Sequence, residues 1–190
     1  MRQSTRTSVL KALDAFATKG VWVFNVRALS RLSGVDEHGL VVYLGRNADI
    51  VGVRKVFRGH YLNPRVDPPI HGLAQLVAIL RPGSPSYLSL ESVLHEVDWI
   101  SQIPNRMTFV TTGRSALYQT PLGIIEFNRV SGDKFSESRL SQTRFDPIRQ
   151  IRVATPELAL ADLTAIGRNL DLVRPEAERN YDYLLEERHP

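Results

Sequence analysis

The stretch Val26–Arg46, VRALSRLSGVDEHGLVVYLGR, constrains this chain more than any other. Its apolar residues Leu29, Leu32, Val35, Leu40, Tyr43 and Leu44 fall into two runs at helical spacing. Gly34 stands between the runs, where a left-handed turn residue is needed. Asp36 follows, placed so that its carboxylate accepts the free amides at the start of a second helix. The spacing predicts a helix, a tight turn and a second helix, with apolar residues, glycine and cap in one register.

The run Leu29-Ser30, Gly34-Val35, Leu40, Tyr43 and Leu44 resembles the bacterial helix-turn-helix pattern. The competing reading is a plain structural corner, which needs similar residues. The neighbouring segments extend the pattern. Thr5–Ala17 predicts an earlier helix, with Val9, Leu10, Leu13, Phe16 and Ala17 on one side and Gly20 at its end. Val21–Phe24 is short and apolar, a candidate strand. Ile50–Tyr61, IVGVRKVFRGHY, predicts a β-hairpin turning at Arg58-Gly59. Three helices followed by a hairpin is the order of a winged helix, whose wing carries Arg54, Lys55, Arg58 and His60.

Charge supports that division. Residues 1–64 carry 10 Lys/Arg against 4 Asp/Glu, and residues 65–190 carry 14 against 16, giving +6 and −2. A basic module beside a mildly acidic one suits binding of a phosphate backbone by the first part. The bland alternative is a solvated basic face. Pro64, Pro68 and Pro69 mark the expected boundary.

Beyond it, Ile70–Leu80 is helical in period, with Ile70, Leu73, Ala74, Val77 and Leu80 on one face. Ser89 is placed to cap a helix running to about Trp99. Met107–Thr112, Ala116–Gln119, Gly123–Val130 and Gln150–Ala154 predict strands, while Ser131–Thr143 has the composition of a loop. Thr155-Pro156-Glu157 opens a helix that is apolar almost all round, and Pro175 opens a last one. The expected fold is α+β: a winged helix-turn-helix over 1–64, then a mixed α/β domain over 65–190.

No cysteine is present, which excludes disulfides, thiolate metal sites and cysteine nucleophiles. His95-Glu96 begins like a zinc-protease helix, but Trp99 stands where the second histidine is required. Glu91 and His95, four residues apart, read as a surface pair rather than metal ligands. No Gly-x-x-x-x-Gly-Lys loop occurs, and Gly113-Arg114-Ser115 lacks the spacing of a nucleophile elbow. Glu126 is followed by Asn128 where a metal-dependent nuclease places lysine. The expectation is a non-enzyme without catalytic residues, metal or cofactor. No apolar run is long enough to span a bilayer, and the start MRQSTRTS lacks the apolar stretch of a signal peptide, so a cytoplasmic protein is expected.

The candidate DNA-binding residues lie on the second helix of the pair and around it. Once Leu40, Tyr43 and Leu44 turn inward, Glu37, His38, Val41, Val42, Gly45 and Arg46 form the outer face. In a major groove the valines suit thymine methyls, Glu37 the cytosine amino group and His38 guanine. Arg27, Arg31, Arg54, Lys55 and Arg58 suit phosphates.

Three segments beyond residue 64 resemble the AbiEi family, the antitoxins of bacterial abortive-infection toxin–antitoxin pairs. They are YLSLESVL (Tyr87–Leu94), MTFVTTGRSALYQTPLGIIEFNRV (Met107–Val130) and VATPELALADL (Val153–Leu163). Their order and spacing carry the resemblance, which with the N-terminal module covers most of the chain. It implies a cytoplasmic antitoxin that represses its own operon at an inverted-repeat operator in double-stranded DNA. It also implies a partner toxin of the nucleotidyltransferase type, opposed by the C-terminal domain with or without a stable complex, and it implies no catalytic residues. The alternative is a transcription factor without a toxin, whose C-terminal domain binds a ligand or a protein. A concave pocket lined by convergent polar groups would favour that alternative. A third reading is an enzyme tethered to DNA.

Overall fold

The structure is a computed structural model that describes residues 2–131 and 135–174, with side chains from Ser4 onward. It has an α+β fold, with seven helices and two sheets, of three and six strands, among the described residues. The chain forms two compact units. One is Met1–Gly72 together with Gln119–Leu122; the other is Leu73–Tyr118 together with Gly123–Pro190.

The first unit runs α1 (Arg2–Ala17), β1 (Val23–Asn25), α2 (Val26–Ser33), α3 (Glu37–Val51), β2 (Arg54–Phe57) and β3 (His60–Leu62). Val9, Leu13, Leu29, Leu40 and Leu44 are fully buried at its centre. Each such side chain stabilises by about 1.5–3 kcal/mol relative to exposure. Phe24 stacks on Phe16 at 5.3 Å and lies 6.1 Å from Tyr61. The sheet has the order β1-β3-β2, antiparallel throughout, with Val23 opposite Leu62 and Asn25 opposite His60.

Leu32, one of the apolar positions of the helix-turn-helix pattern, is 47% exposed. The segment expected to begin a hairpin at Ile50 instead continues α3 to Val51, which reaches the core, and Gly52 closes it at φ +75. β-Branched residues suit either state, and the glycine cap decides for helix. Near its end α3 departs from helical geometry at Asn47 (φ −134, ψ 19), whose side-chain amide donates to the Tyr43 carbonyl at 2.8 Å.

The first stretch of the first unit runs to Gly72, and the chain on either side of Pro64 is held to α1. Asn63 is buried and its amide donates to the carbonyls of Leu13 and Val21 at 3.2 and 3.1 Å. Arg65 pairs with Asp14.

The second unit contains α4 (Gly72–Leu80, apart from its first residue), β4 (Ser86–Leu88), α5 (Glu91–Glu96), β5 (Met107–Thr111), β6 (Ala116–Thr120, apart from its last two residues) and β7 (Gly123–Arg129). It continues with α6 (Glu137–Ser141), β8 (Thr143–Asp146), β9 (Ile151–Ala154), α7 (Pro156–Ile166) and a 3-10 turn at Leu170–Leu172. The sheet order is β6-β7-β5-β4-β9-β8. β4 pairs antiparallel with β5 and parallel with β9, and β5 pairs parallel with β7. Residues opposite one another share a face. Leu88, Phe109, Phe127 and Val153 make one face apolar. The other carries Tyr87, Thr108, Glu126 and Asn128 around Val110, and its polar groups are buried (Tyr87, Thr108) or half-buried (Glu126, Asn128).

Several expectations about this unit are corrected. Ile70 is 98% exposed and precedes α4. Ser89 does not cap α5: the residue before Glu91 is Leu90, at φ 59 and ψ −142, and the Ser89 hydroxyl instead donates to Asp162 at 2.6 Å. The expected loop Ser131–Thr143 contains α6, capped by Ser136, and ends where β8 begins. α7 is capped by Thr155 with Pro156 in its first turn, but it is not buried all round: Thr164, Ala165 and Ile166 are exposed. The helix expected from Pro175 lies outside the described residues. Among the described residues no helix is long and apolar enough to cross a membrane.

Candidate nucleic-acid interface

Local hydrogen bonds set the geometry of α2 and α3. The Asn25 side chain accepts from the Ala28 amide at 2.8 Å and starts α2 directly from β1. Gly34 ends α2 at φ 70, in the left-handed region that favours glycine, and its N–H donates to the Ser30 carbonyl. The Ser30 hydroxyl then donates to the Val35 carbonyl at 2.7 Å, closing the turn. Asp36 accepts from the Gly39 amide at 2.8 Å and caps α3. A side chain at position 39 would fall 2.8 Å from that carboxylate, so glycine keeps the cap close.

α3 buries Leu40, Leu44 and Val51. The opposite side carries His38, Val42, Gly45 and Asp49 in a row, flanked by Val41 and Arg46, all exposed. Val41 is 50% and Val42 39% accessible. Glu37 is exposed in the first turn. The expected outer face is therefore assembled on one side of one helix. A glycine inside such a helix costs about 0.8–1 kcal/mol relative to alanine. Beside the face runs a surface groove of about 670 Å³, walled by Thr5 and Arg6 of α1 and by Val42, Tyr43, Arg46 and Ile50 of α3.

The cations lie on α2 and the hairpin. Arg27 and Arg31 are exposed on α2. The Val26 amide donates to the Gly59 carbonyl at 2.8 Å, which holds the Arg58-Gly59 turn against the start of α2 and so near Arg27. In β2 the pairing register shifts between Lys55 and Phe57. Val56 is thereby buried while Arg54 and Lys55 both stay exposed. Charges on this edge strand also discourage pairing with another chain. None of Arg27, Arg31, Arg46, Arg54, Lys55 and Arg58 forms an ion pair with a described residue. His60 is partly buried, with its ring nitrogen 3.0 Å from the Arg58 carbonyl, and belongs to the hairpin more than to its surface. With Asp36, Glu37 and Asp49 on or beside it, α3 is not itself a basic surface.

The second unit holds polar groups that the sequence reading missed. Glu91 is buried and bound through both oxygens by Arg168, at 3.0 and 3.2 Å. Arg168 also binds Glu126 at 2.5 and 3.2 Å, and Arg106 reaches Glu126 at 3.1 Å. The Asn169 amide donates to Glu91 at 2.7 Å. Glu91 is thus not the surface partner of His95 that its spacing suggested. Burial alone would raise the Glu126 carboxyl, but hydrogen bonds and charge from Arg168, then Arg106, outweigh it and hold the group below its ordinary range. Partners 77 and 42 positions apart leave no short-range signal in the sequence. A cavity of about 470 Å³ opens onto this network, with Ile100, Ile103, Pro104 and Leu172 as its apolar lining.

A second buried cluster surrounds Asp162 of α7. It accepts from the hydroxyls of Tyr87 at 3.0 Å and Ser89 at 2.6 Å, and pairs with Arg139 of α6. Arg139 also donates to the Tyr87 oxygen at 2.7 Å. Burial first, and the neighbouring Asp162 charge second, raise the Tyr87 hydroxyl well above its ordinary pKa. No family model matches this chain, and neither does any curated protein.

Proposed function

We propose that the first unit is a winged helix-turn-helix that binds double-stranded DNA, and that the chain is the antitoxin and autorepressor of a toxin–antitoxin operon. The observation that carries the DNA reading is the capped α2–turn–α3 pair. Its exposed face of His38, Val41, Val42 and Arg46 is flanked by exposed cations on α2 and the hairpin. In this reading α3 lies in the major groove, with its neutral side chains toward base edges, while Arg27, Arg31, Arg54, Lys55 and Arg58 neutralise phosphates. The antitoxin role rests on the AbiEi resemblance of the segments around Tyr87, Met107 and Val153. It gives the second unit the task of opposing a nucleotidyltransferase-type toxin in the cytoplasm.

A promoter-reporter assay and a toxicity-rescue assay on the same variants test the two roles together. Arg46→Ala with Arg58→Ala derepresses the promoter and leaves rescue intact. Leu163→Ala opens a cavity at a fully buried position, costs about 2–5 kcal/mol and abolishes rescue. Loss of rescue in the folded Arg46/Arg58 variant means that protection works only through repression, and the antitoxin assignment then falls. A second reading, a regulator without a toxin that senses a small molecule, is favoured by the cavity lined by Glu91, Arg106, Arg168 and Asn169. Operator binding that changes with a small metabolite, in cells lacking any toxin gene, selects it.

A further inference from the structure

The exposed face of α3 carries a glycine for which the fold has no use. Gly52 takes the left-handed conformation that closes the helix, and Gly39 leaves room for the Asp36 carboxylate. Gly45 does neither. Its φ is not in the left-handed region, and a methyl group built on it meets no atom within 4 Å beyond its chain neighbours and the backbone of its own helix. Alanine would fit without strain and favour the helix. Yet glycine stands at the centre of the exposed row, with His38 and Val42 before it, Asp49 after it, and Val41 and Arg46 at its sides.

We infer that Gly45 is where the backbone of α3 comes closest to duplex DNA, a contact that any side chain would hold off. The inference rests on the DNA-binding reading of this face and adds the centre and depth of the contact. A helix with one bare position seats deeper in the groove by up to a side chain's width. That depth lets the short Val42 and the ring of His38 reach base edges. The break at Asn47 follows two residues later, so Glu37–Arg46 is the regular part of the helix that enters.

The test uses the full chain and duplexes that the wild type enriches from a randomised pool. Gly45→Ala raises the folding equilibrium constant about four- to fivefold. It lowers affinity for the enriched duplex by about tenfold, and Gly45→Leu lowers it further. The salt dependence of binding stays unchanged, because no charge is altered. A variant that is both more stable and a weaker binder is the expected signature. Wild-type affinity in Gly45→Ala overturns the inference and leaves the DNA reading standing. A loss of stability in Gly45→Ala also overturns it, since the glycine then serves the bend at Asn47. If the wild type enriches no duplex, the DNA reading falls and takes this inference with it.

Discussion

Arg168→Met tests whether the second unit is held together across its polar sheet face. Arg168 makes hydrogen bonds to two carboxylates that are 8% and 13% exposed, on α5 and β7. Removing one partner of a buried pair commonly costs about 3–5 kcal/mol, because the remaining charge stays buried. Here Glu126 keeps Arg106 at 3.1 Å and Glu91 keeps Asn169 at 2.7 Å. Arg168 is itself 30% exposed, so water replaces part of what is lost. The expected loss is therefore about 2–3 kcal/mol at pH 7. Urea unfolding followed by tryptophan fluorescence reads it, since Trp22 lies in the first unit and Trp99 in the second, and Trp22→Phe isolates the second signal.

The pH dependence supplies a sharper check. The Glu126 carboxyl is held below its ordinary value of 4.5 in the folded chain. The unfolded chain therefore binds its proton first as pH falls, and folding stability declines with it. This contribution is present above about pH 4.5 and is lost as pH drops through the folded-state value. Arg168→Met removes the main cation holding the carboxyl down, so the gap between variant and wild type narrows from pH 7 to pH 4. Replacing Glu91, Glu126 and Arg168 together with Gln, Gln and Met should recover much of the loss, as no carboxylate is then left buried without its cation and Arg106, 39% exposed, can turn to water. A loss below about 1 kcal/mol at pH 7, or one equal at both pH values, refutes the reasoning.

The remaining predictions concern the first unit. Asp36→Ala removes the cap of α3 and should cost about 1 kcal/mol, seen by Trp22 fluorescence in a Trp99→Phe background. Lys55→Ala and Arg58→Ala should weaken binding to every duplex alike, each reducing the slope of log affinity against log salt by about 0.9. His38→Ala and Val42→Ala should change which bases matter, by about 1–3 kcal/mol per lost contact, in competition assays against single-base variants of an enriched duplex. Altered base preference in the hairpin variants, with none in the helix variants, reverses the assignment of groove and phosphate contacts.

The first unit was legible because its signals are local. Gly34, Asp36 and the apolar spacing lie within a few residues of the bonds they make, so the α2–α3 turn follows from short-range rules. The same rules failed where tertiary partners decide. Ser89 has the chemistry of a helix cap and stands near a helix start, but its hydroxyl donates instead to the carboxylate of Asp162, 73 positions away. Asp162 was equally hidden, an acid set among the leucines and alanines of α7. β4 is short, and only its pairing on both sides places it mid-sheet.

These failures share one cause. A sheet face carrying Tyr87, Thr108, Glu126 and Asn128 does not read as a core by hydrophobic pattern, and its burial requires partners from distant elements. Asp162 with Arg139, and Arg168 with Glu91, supply them. Much of the polar sheet face is therefore satisfied only when α5, α6, α7 and the turn after α7 are in place together. The second unit should accordingly lose its structure as a whole when one of these pairs is broken, whereas the first unit, organised by local caps and an aliphatic core, should lose α3 capping without losing its fold. Hydrogen exchange on Asp162→Asn and Asp36→Ala distinguishes the two behaviours. Protection lost across β4, β5 and β9 in the former, and confined to the first turns of α3 in the latter, is the expected pattern; a loss confined to α6 in Asp162→Asn would mean that the cluster only latches that short helix.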